Sequence, residues 1–284
     1  MNQPLDSTRA SSAEAALREG RLDEALEALQ ADIRKKPQDK ALRVFLFQLL
    51  AVTGAWERAL RQLNVLVEMD AQYALLAQTY RPLIACEVFR AELFQGARSP
   101  SSLGEPLPWF GALIEAARLT SAGEHAAAQA LRDKAFEGAD AVPGRLDGKP
   151  FAWIADADPR LGPVLEVVLQ GRYFWVPFAR IRKIAFEPAE DLRDLVWLPA
   201  HFTWSNNGEA VGFVPTRYPG SEDGDAAVCL ARSTEWHTVG DVALGRGQRM
   251  FATDGDDIGL LEVKAIELDL PSVDPQTRTE GTHD

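Results

Sequence analysis

Apolar residues recur with helical spacing through the first half of the chain. Leu22, Ala25, Leu26, Leu29 and Ile33 fall at offsets of 0, 3, 4, 7 and 11, one stripe of an α-helix. Trp56, Ala59, Leu60, Leu63 and Val67 repeat those offsets 34 positions later, and Gly20 maps onto Gly54 in the same way. A 34-residue period in helical sequence marks tetratricopeptide-like repeats, helix–turn–helix units that stack on one another. Small Ala25 and Ala59 let neighbouring helices approach, a glycine suits the tight turn, and Pro37 closes the first unit. A weaker third match at Gly123, Ala128 and Phe136 lies 69 positions beyond the second, as expected of an atypical terminal unit. Between them, Ala71 to Gln95 reads as one long helix bent at Pro82, and the Ser/Pro/Gly-rich stretch 99–106 as a loop. The pattern predicts about seven helices ending near Gly138.

The period then changes. Short apolar runs at 151–155, 164–169, 173–178, 184–186, 211–215 and 260–270 read as strands. Gln170-Gly171 and Asn206-Asn207-Gly208 fall between runs as hairpin turns, and one helical turn is expected around Glu190–Arg193. The expected fold is α+β: a tetratricopeptide-like helical repeat domain over 1–138, a linker over 139–150, a small, mostly antiparallel, barrel-like β domain over 151–270, and a polar, flexible tail over 271–284.

Charge sharpens this division. Of the net −12, residues 1–137 contribute −2 (16 basic, 18 acidic) and residues 138–284 contribute −10 (14 basic, 24 acidic). So acidic a second half is a poor surface for nucleic acid or an anionic membrane. The longest run without Asp, Glu, Lys or Arg is the 14 residues Leu195–Gly208, too short for a membrane-spanning helix. The N-terminus lacks the basic and apolar segments of a secretory signal. Cys86 and Cys229, one in each half, read as buried reduced thiols, and a cytoplasmic protein is expected.

Candidate chemistry is sparse. The four histidines, His125, His201, His237 and His283, form no metal-ligand spacing. Asp254-Gly255-Asp256-Asp257 lacks the ligand spacing of a calcium loop and reads as a turn. There is no phosphate-binding glycine loop and no GxSxG elbow. No catalytic residue, metal or cofactor is therefore assigned. Five of seven tryptophans (Trp153, Trp175, Trp197, Trp204 and Trp236) lie in the β half, where they are expected to build core. Arg172, Arg180, Arg182 and Lys183 are expected to pair with carboxylates such as Glu187, Glu190 and Asp191.

Four stretches together resemble the ImpE/TagJ family of type VI secretion accessory proteins. They are Leu17–Ala25; Tyr80-Arg81-Pro82-Leu83-Ile84-Ala85-Cys86-Glu87 with Arg90, Gly96, Pro100 and Trp109; Tyr173-Phe174-Trp175-Val176-Pro177-Phe178-Ala179-Arg180-Ile181 running on through Phe186-Glu187-Pro188 and Asp191–Leu195 to Trp197, Pro199 and Ala200; and Tyr218-Pro219-Gly220-Ser221 with Trp236 and Gly247-Gln248-Arg249. The third is the most distinctive, and Cys86, where a small residue such as alanine is expected, is a mild departure. The resemblance covers roughly residues 13 to 268. It implies a non-enzymatic protein of a contractile injection machine. Such a protein binds a helical segment of the small sheath subunit and is linked to the AAA+ ATPase that dismantles the sheath. An amphipathic helix suits the groove of a stacked-helix array, and repeat geometry nominates Arg43, Val44, Phe47 and Gln48 as the partner-binding set. The rival readings are a general peptide-binding scaffold unconnected to secretion, and an enzyme with a site near His201 or His237.

Overall fold

In a computed structural model, residues 11–270 are described. The first half holds seven helices: α1 (Ser12–Arg18), α2 (Leu22–Lys35), α3 (Lys40–Val52), α4 (Trp56–Met69), α5 (Ala74–Phe94), α6 (Phe110–Ser121) and α7 (His125–Gly138). Ser11 and Glu14 form a capping box at the start of α1, and Asp39 caps α3 by accepting the Leu42 amide. The repeat glycines end helices. Gly20 and Gly54 both take positive φ, and the next residue's amide reaches back to the carbonyl of Ala16 or Leu50. α5 runs through Pro82 for 21 residues.

The second half, with a two-residue strand from the preceding loop, contributes fourteen strands: β1 (Ser101–Ser102), β2 (Gly144–Leu146), β3 (Lys149–Phe151), β4 (Ile154–Asp156), β5 (Val164–Leu169), β6 (Arg172–Pro177), β7 (Ile181–Phe186), β8 (Trp197–Trp204), β9 (Glu209–Pro215), β10 (Thr234–Val239), β11 (Val242–Gly247), β12 (Met250–Thr253), β13 (Asp257–Gly259) and β14 (Ala265–Leu268). Nine form an open sheet in the order β1-β6-β5-β9-β8-β7-β14-β2-β3, antiparallel except for β1 beside β6. β13-β12-β4 form a second sheet and β10–β11 a separate hairpin. The expected helical-repeat region followed by a mostly antiparallel β region is what the chain adopts, with an open sheet in place of a closed barrel.

Both expected hairpin turns are present. Gln170 and Gly171 take φ of 50° and 73° between β5 and β6, and Asn207 takes 64° between β8 and β9. The expected helical turn is the 3-10 segment Leu192–Leu195. The stretch expected as a linker, 139–150, is different: it carries β2 and most of β3, and β2 pairs with β14 in the main sheet. Its glycines and prolines serve a hairpin. Asp147 and Gly148 turn at positive φ, and a Cβ on Gly144 would sit 2.2 Å from the Glu267 carbonyl oxygen. The tail, 271–284, lies outside the described residues.

The main sheet is buried on both faces at β5 and β6. In β5, Val164 and Val168 join a core shared with the helices, while Leu165, Val167 and Leu169 join a second core. β6 divides the same way, with Tyr173 and Trp175 toward the helices and Phe174 and Val176 away. This accounts for the unbroken apolar runs in the sequence, since a strand covered on both sides has no solvent face to alternate with. The second core is closed by Phe251, Leu260, Val263 and Ile266. The helical half therefore has no separate core: Leu83, Leu93 and Trp109 belong to the same cluster as Trp175, Trp197 and Tyr218.

Candidate functional site

The nominated face of α3 is largely covered by the chain itself. Phe47 is 0% exposed and Gln48 7%, so neither is available to a partner, while Arg43 and Val44 are half-buried. Phe47 packs edge-on against Tyr80 at 5.4 Å, and Tyr80 in turn meets Trp197 and Phe213. Segment Leu192–Leu195 packs on α3, and the Arg217 guanidinium donates to the Val52 carbonyl at the end of α3 (2.7 Å). Arg43 is turned to its own helix start, donating to the Pro37 carbonyl at 2.9 Å. Helical period placed these four residues on α3, but it could not show that Tyr80 of α5 and the segment Leu192–Leu195 fill the face beside them.

Where the sheet meets the helices, a set of charged side chains is buried. Glu166, the one polar residue of β5, accepts from Arg90 Nε of α5 (2.5 Å) and Nη2 (2.8 Å), from Arg249, and from the Tyr173 hydroxyl. Arg90 Nη2 also donates to the Arg217 carbonyl (2.7 Å). Arg249 bridges Glu166 to Asp156 and donates through Nε to the Pro215 carbonyl (2.9 Å). The Tyr218 hydroxyl donates to Asp156 (2.9 Å), Trp175 Nε1 to the Tyr173 hydroxyl (2.8 Å), and Trp197 Nε1 to Glu87 (3.0 Å). Bidentate and charge-assisted bonds of this kind are what allow such groups to leave water.

The electrostatics follow from the partners. Burial would raise Glu166, but Arg90 and Arg249 pull its carboxyl down to about 2. Asp156 has the weaker support: burial pushes it up to about 6, and Arg249 only partly opposes this. Burial also raises Cys86 to about 12, so it stays a thiol and packs as a small apolar residue, 3.4 Å from the Gly171 carbonyl. The distinctive stretches of the sequence thus converge here: Glu87, Arg90, Tyr173, Trp175, Trp197, Tyr218 and Arg249 bind the two halves together. One signal for this was present, a lone glutamate inside the apolar run Val164–Leu169, which demands a buried cation.

The tryptophans do not all build core. Trp175 and Trp197 are fully buried and Trp204 is half-buried, but Trp153 and Trp236 are 39% and 41% exposed. Trp153 lines a cleft of about 390 Å³ between α7 and the small sheet, with Phe136, itself 39% exposed, on the opposite wall. Trp236 lines an adjoining depression, and the two share Ala157, Pro159 and Ala252. The basic cluster also differs from expectation. Lys183 pairs with Glu267, Arg180 and Arg182 donate to backbone carbonyls, and Arg172 lies over the Phe174 ring. His201 and His237 each sit beside a local carboxylate, Glu187 and Glu235. Among the described residues no group of His, Cys, Asp and Glu is placed to hold a metal, and no helix is long and apolar enough to cross a membrane.

Stacked helix pairs closed by a two-faced sheet define a helical-repeat protein whose repeat face is occupied by its own C-terminal half. Residues 16–79 match the tetratricopeptide repeat model, and residues 148–267 match the model of the ImpE protein family. The chain is 49% identical to the type VI secretion system accessory component TagJ of Pseudomonas aeruginosa, over 90% of this chain and 91% of that protein. The crystal structure of protein VPA1032 from Vibrio parahaemolyticus superposes with a TM-score of 0.82 at 27% identity, covering 90% of this chain and 97% of that one. The chain belongs to the ImpE/TagJ family.

Proposed function

We propose that this protein is a non-enzymatic, cytoplasmic accessory component of a type VI secretion system. It binds a helical segment of the small sheath subunit and influences how the AAA+ disassembly ATPase handles the sheath. The observation that carries this reading is the 49% identity to the accessory component TagJ across nine-tenths of both chains. The structure supports an adaptor role in a further way. Its charged side chains at the junction of the halves are buried and tied to one another, which suits a rigid scaffold that presents surfaces to other proteins.

The reading is tested by calorimetry of the full chain with purified small sheath subunit, with unrelated amphipathic helical peptides as the comparison. Selective, saturable binding of the sheath subunit is expected. Equal binding of the unrelated peptides would make the protein a general scaffold and overturn the proposal, as would no sheath binding at all.

A further inference from the structure

The cleft between α7 and the small sheet has the make-up of a docking site. Trp153, Phe136 and Trp236 are three large apolar side chains left partly in water on one continuous surface. Exposed aromatics clustered around a concavity mark contact sites, since each can bury a large area at low entropic cost on binding. The surface is built rather than incidental. A Cβ on Gly162 would sit 2.4 Å from the Phe136 ring, so a glycine here lets that ring close against the backbone. A Cβ on Gly240 would sit 2.7 Å from His125 Cβ, so the β10–β11 turn is seated on the start of the same helix.

The charges around it are of one sign. Asp140, Asp241 and Asp257 line the two depressions and are exposed, and no lysine or arginine lines either. Asp156 also faces the cleft, but it is buried and committed to Arg249. We infer that this acid-rimmed aromatic cleft docks a segment of a partner protein that presents apolar side chains beside lysine or arginine. Charge complementarity chooses the occupant. A second copy would bring another aspartate-rimmed face from a chain of net −12. The chain's own residues 271–284 carry three acids against one arginine and a single valine, the opposite of what the cleft complements. The inference rests on this surface and goes beyond the secretion reading; loss of sheath binding in the experiment above would leave it standing.

The test uses the full chain with a short amphipathic peptide of leucine and lysine and its leucine/glutamate twin, followed by tryptophan emission and calorimetry. The lysine peptide is expected to bind at one site, at least about tenfold tighter than its twin. Phe136→Ala with Trp153→Ala is expected to weaken it about tenfold or more. Asp140→Lys with Asp241→Lys, at two exposed positions, gives the same loss without touching the aromatics. Glu57→Lys with Leu75→Ala, both exposed on the helical half, is the control and should bind like the parent. Cleft variants that bind normally would overturn the assignment. So would a control that loses as much, which would mean attraction to net charge alone, or a dimer of the parent that the aromatic variant dissolves, which would mean a second copy as occupant.

Discussion

The seam around Glu166 and the cleft around Trp153 both lie between the helical half and the sheet, and both combine aromatic and acidic side chains. They differ in how far those side chains are satisfied. In the seam every carboxylate has a guanidinium or hydroxyl partner, and Glu166, Asp156 and Arg249 are essentially out of water. In the cleft, the aromatics are part-exposed and the rim aspartates have no cation lining the same depressions. The residues that make this sequence distinctive cluster in the seam. What distinguishes the family member at the level of sequence is therefore largely how its halves are joined, while the surface left for other proteins draws on Phe136 and Trp153 outside those stretches and on Trp236 within them.

The largest effect separating the two regions should come from removing one member of the seam. Glu166→Leu leaves Arg90 and Arg249 buried with half their partners. Breaking a buried pair from one side destabilises by about 3–5 kcal/mol. Urea denaturation of the variant should show a loss of that size, with binding at the cleft affected only as far as the fold is. A loss under about 1 kcal/mol, the range of a surface ion pair, would show that the seam is wetter than its burial indicates.

A smaller effect is expected from pH, and its sign differs between two of the seam carboxylates, Asp156 and Glu166. Asp156 in the fold titrates at about 6, above its ordinary 3.8, so the folded chain holds a proton that the unfolded chain releases. Its contribution is fully present below the ordinary value and is lost as pH rises through about 6. Glu166 runs the other way: at about 2 against an ordinary 4.5, its contribution is present above 4.5 and lost as pH falls toward 2. Stability should therefore climb by roughly 1–1.5 kcal/mol from pH 7 toward about pH 5 and fall in stronger acid. Asp156→Asn should flatten the rise between pH 7 and 5. Parallel pH–stability curves for parent and variant would mean that Asp156 ionises normally in its ion pair.

The two regions also differ in how much of them the sequence discloses. Helices α2 and α4 follow from offsets within each stripe and from one glycine each, because every signal is local to about a dozen residues. Strands β5 and β6 follow from their apolar runs and the Gln170-Gly171 turn for the same reason. Pairings across the chain do not follow. Arg90 and Glu166 are 76 positions apart, and Arg217 and Val52 are 165 apart, so the face of α3 looked open for Phe47 and Gln48 when Tyr80 and the segment Leu192–Leu195 in fact close it. Turn residues mislead where a hairpin hides among them, as at Asp147-Gly148. The cleft is the least legible part: Phe136 lies on α7, Trp236 on β10 and Trp153 between β3 and β4, and nothing near any of them in sequence says that they share a surface.

The smallest stability effect should come from that surface. Asp140→Lys together with Asp241→Lys reverses two exposed charges on the rim and leaves the aromatics in place. Surface changes away from buried pairs usually stay within about 0.5 kcal/mol. Thermal and urea unfolding of the double variant should sit close to the parent while its peptide affinity falls. A loss approaching that of Glu166→Leu would make these rim aspartates part of the joint. Near-parental stability combined with lost binding would separate the joint that holds the molecule together from the face it offers to others.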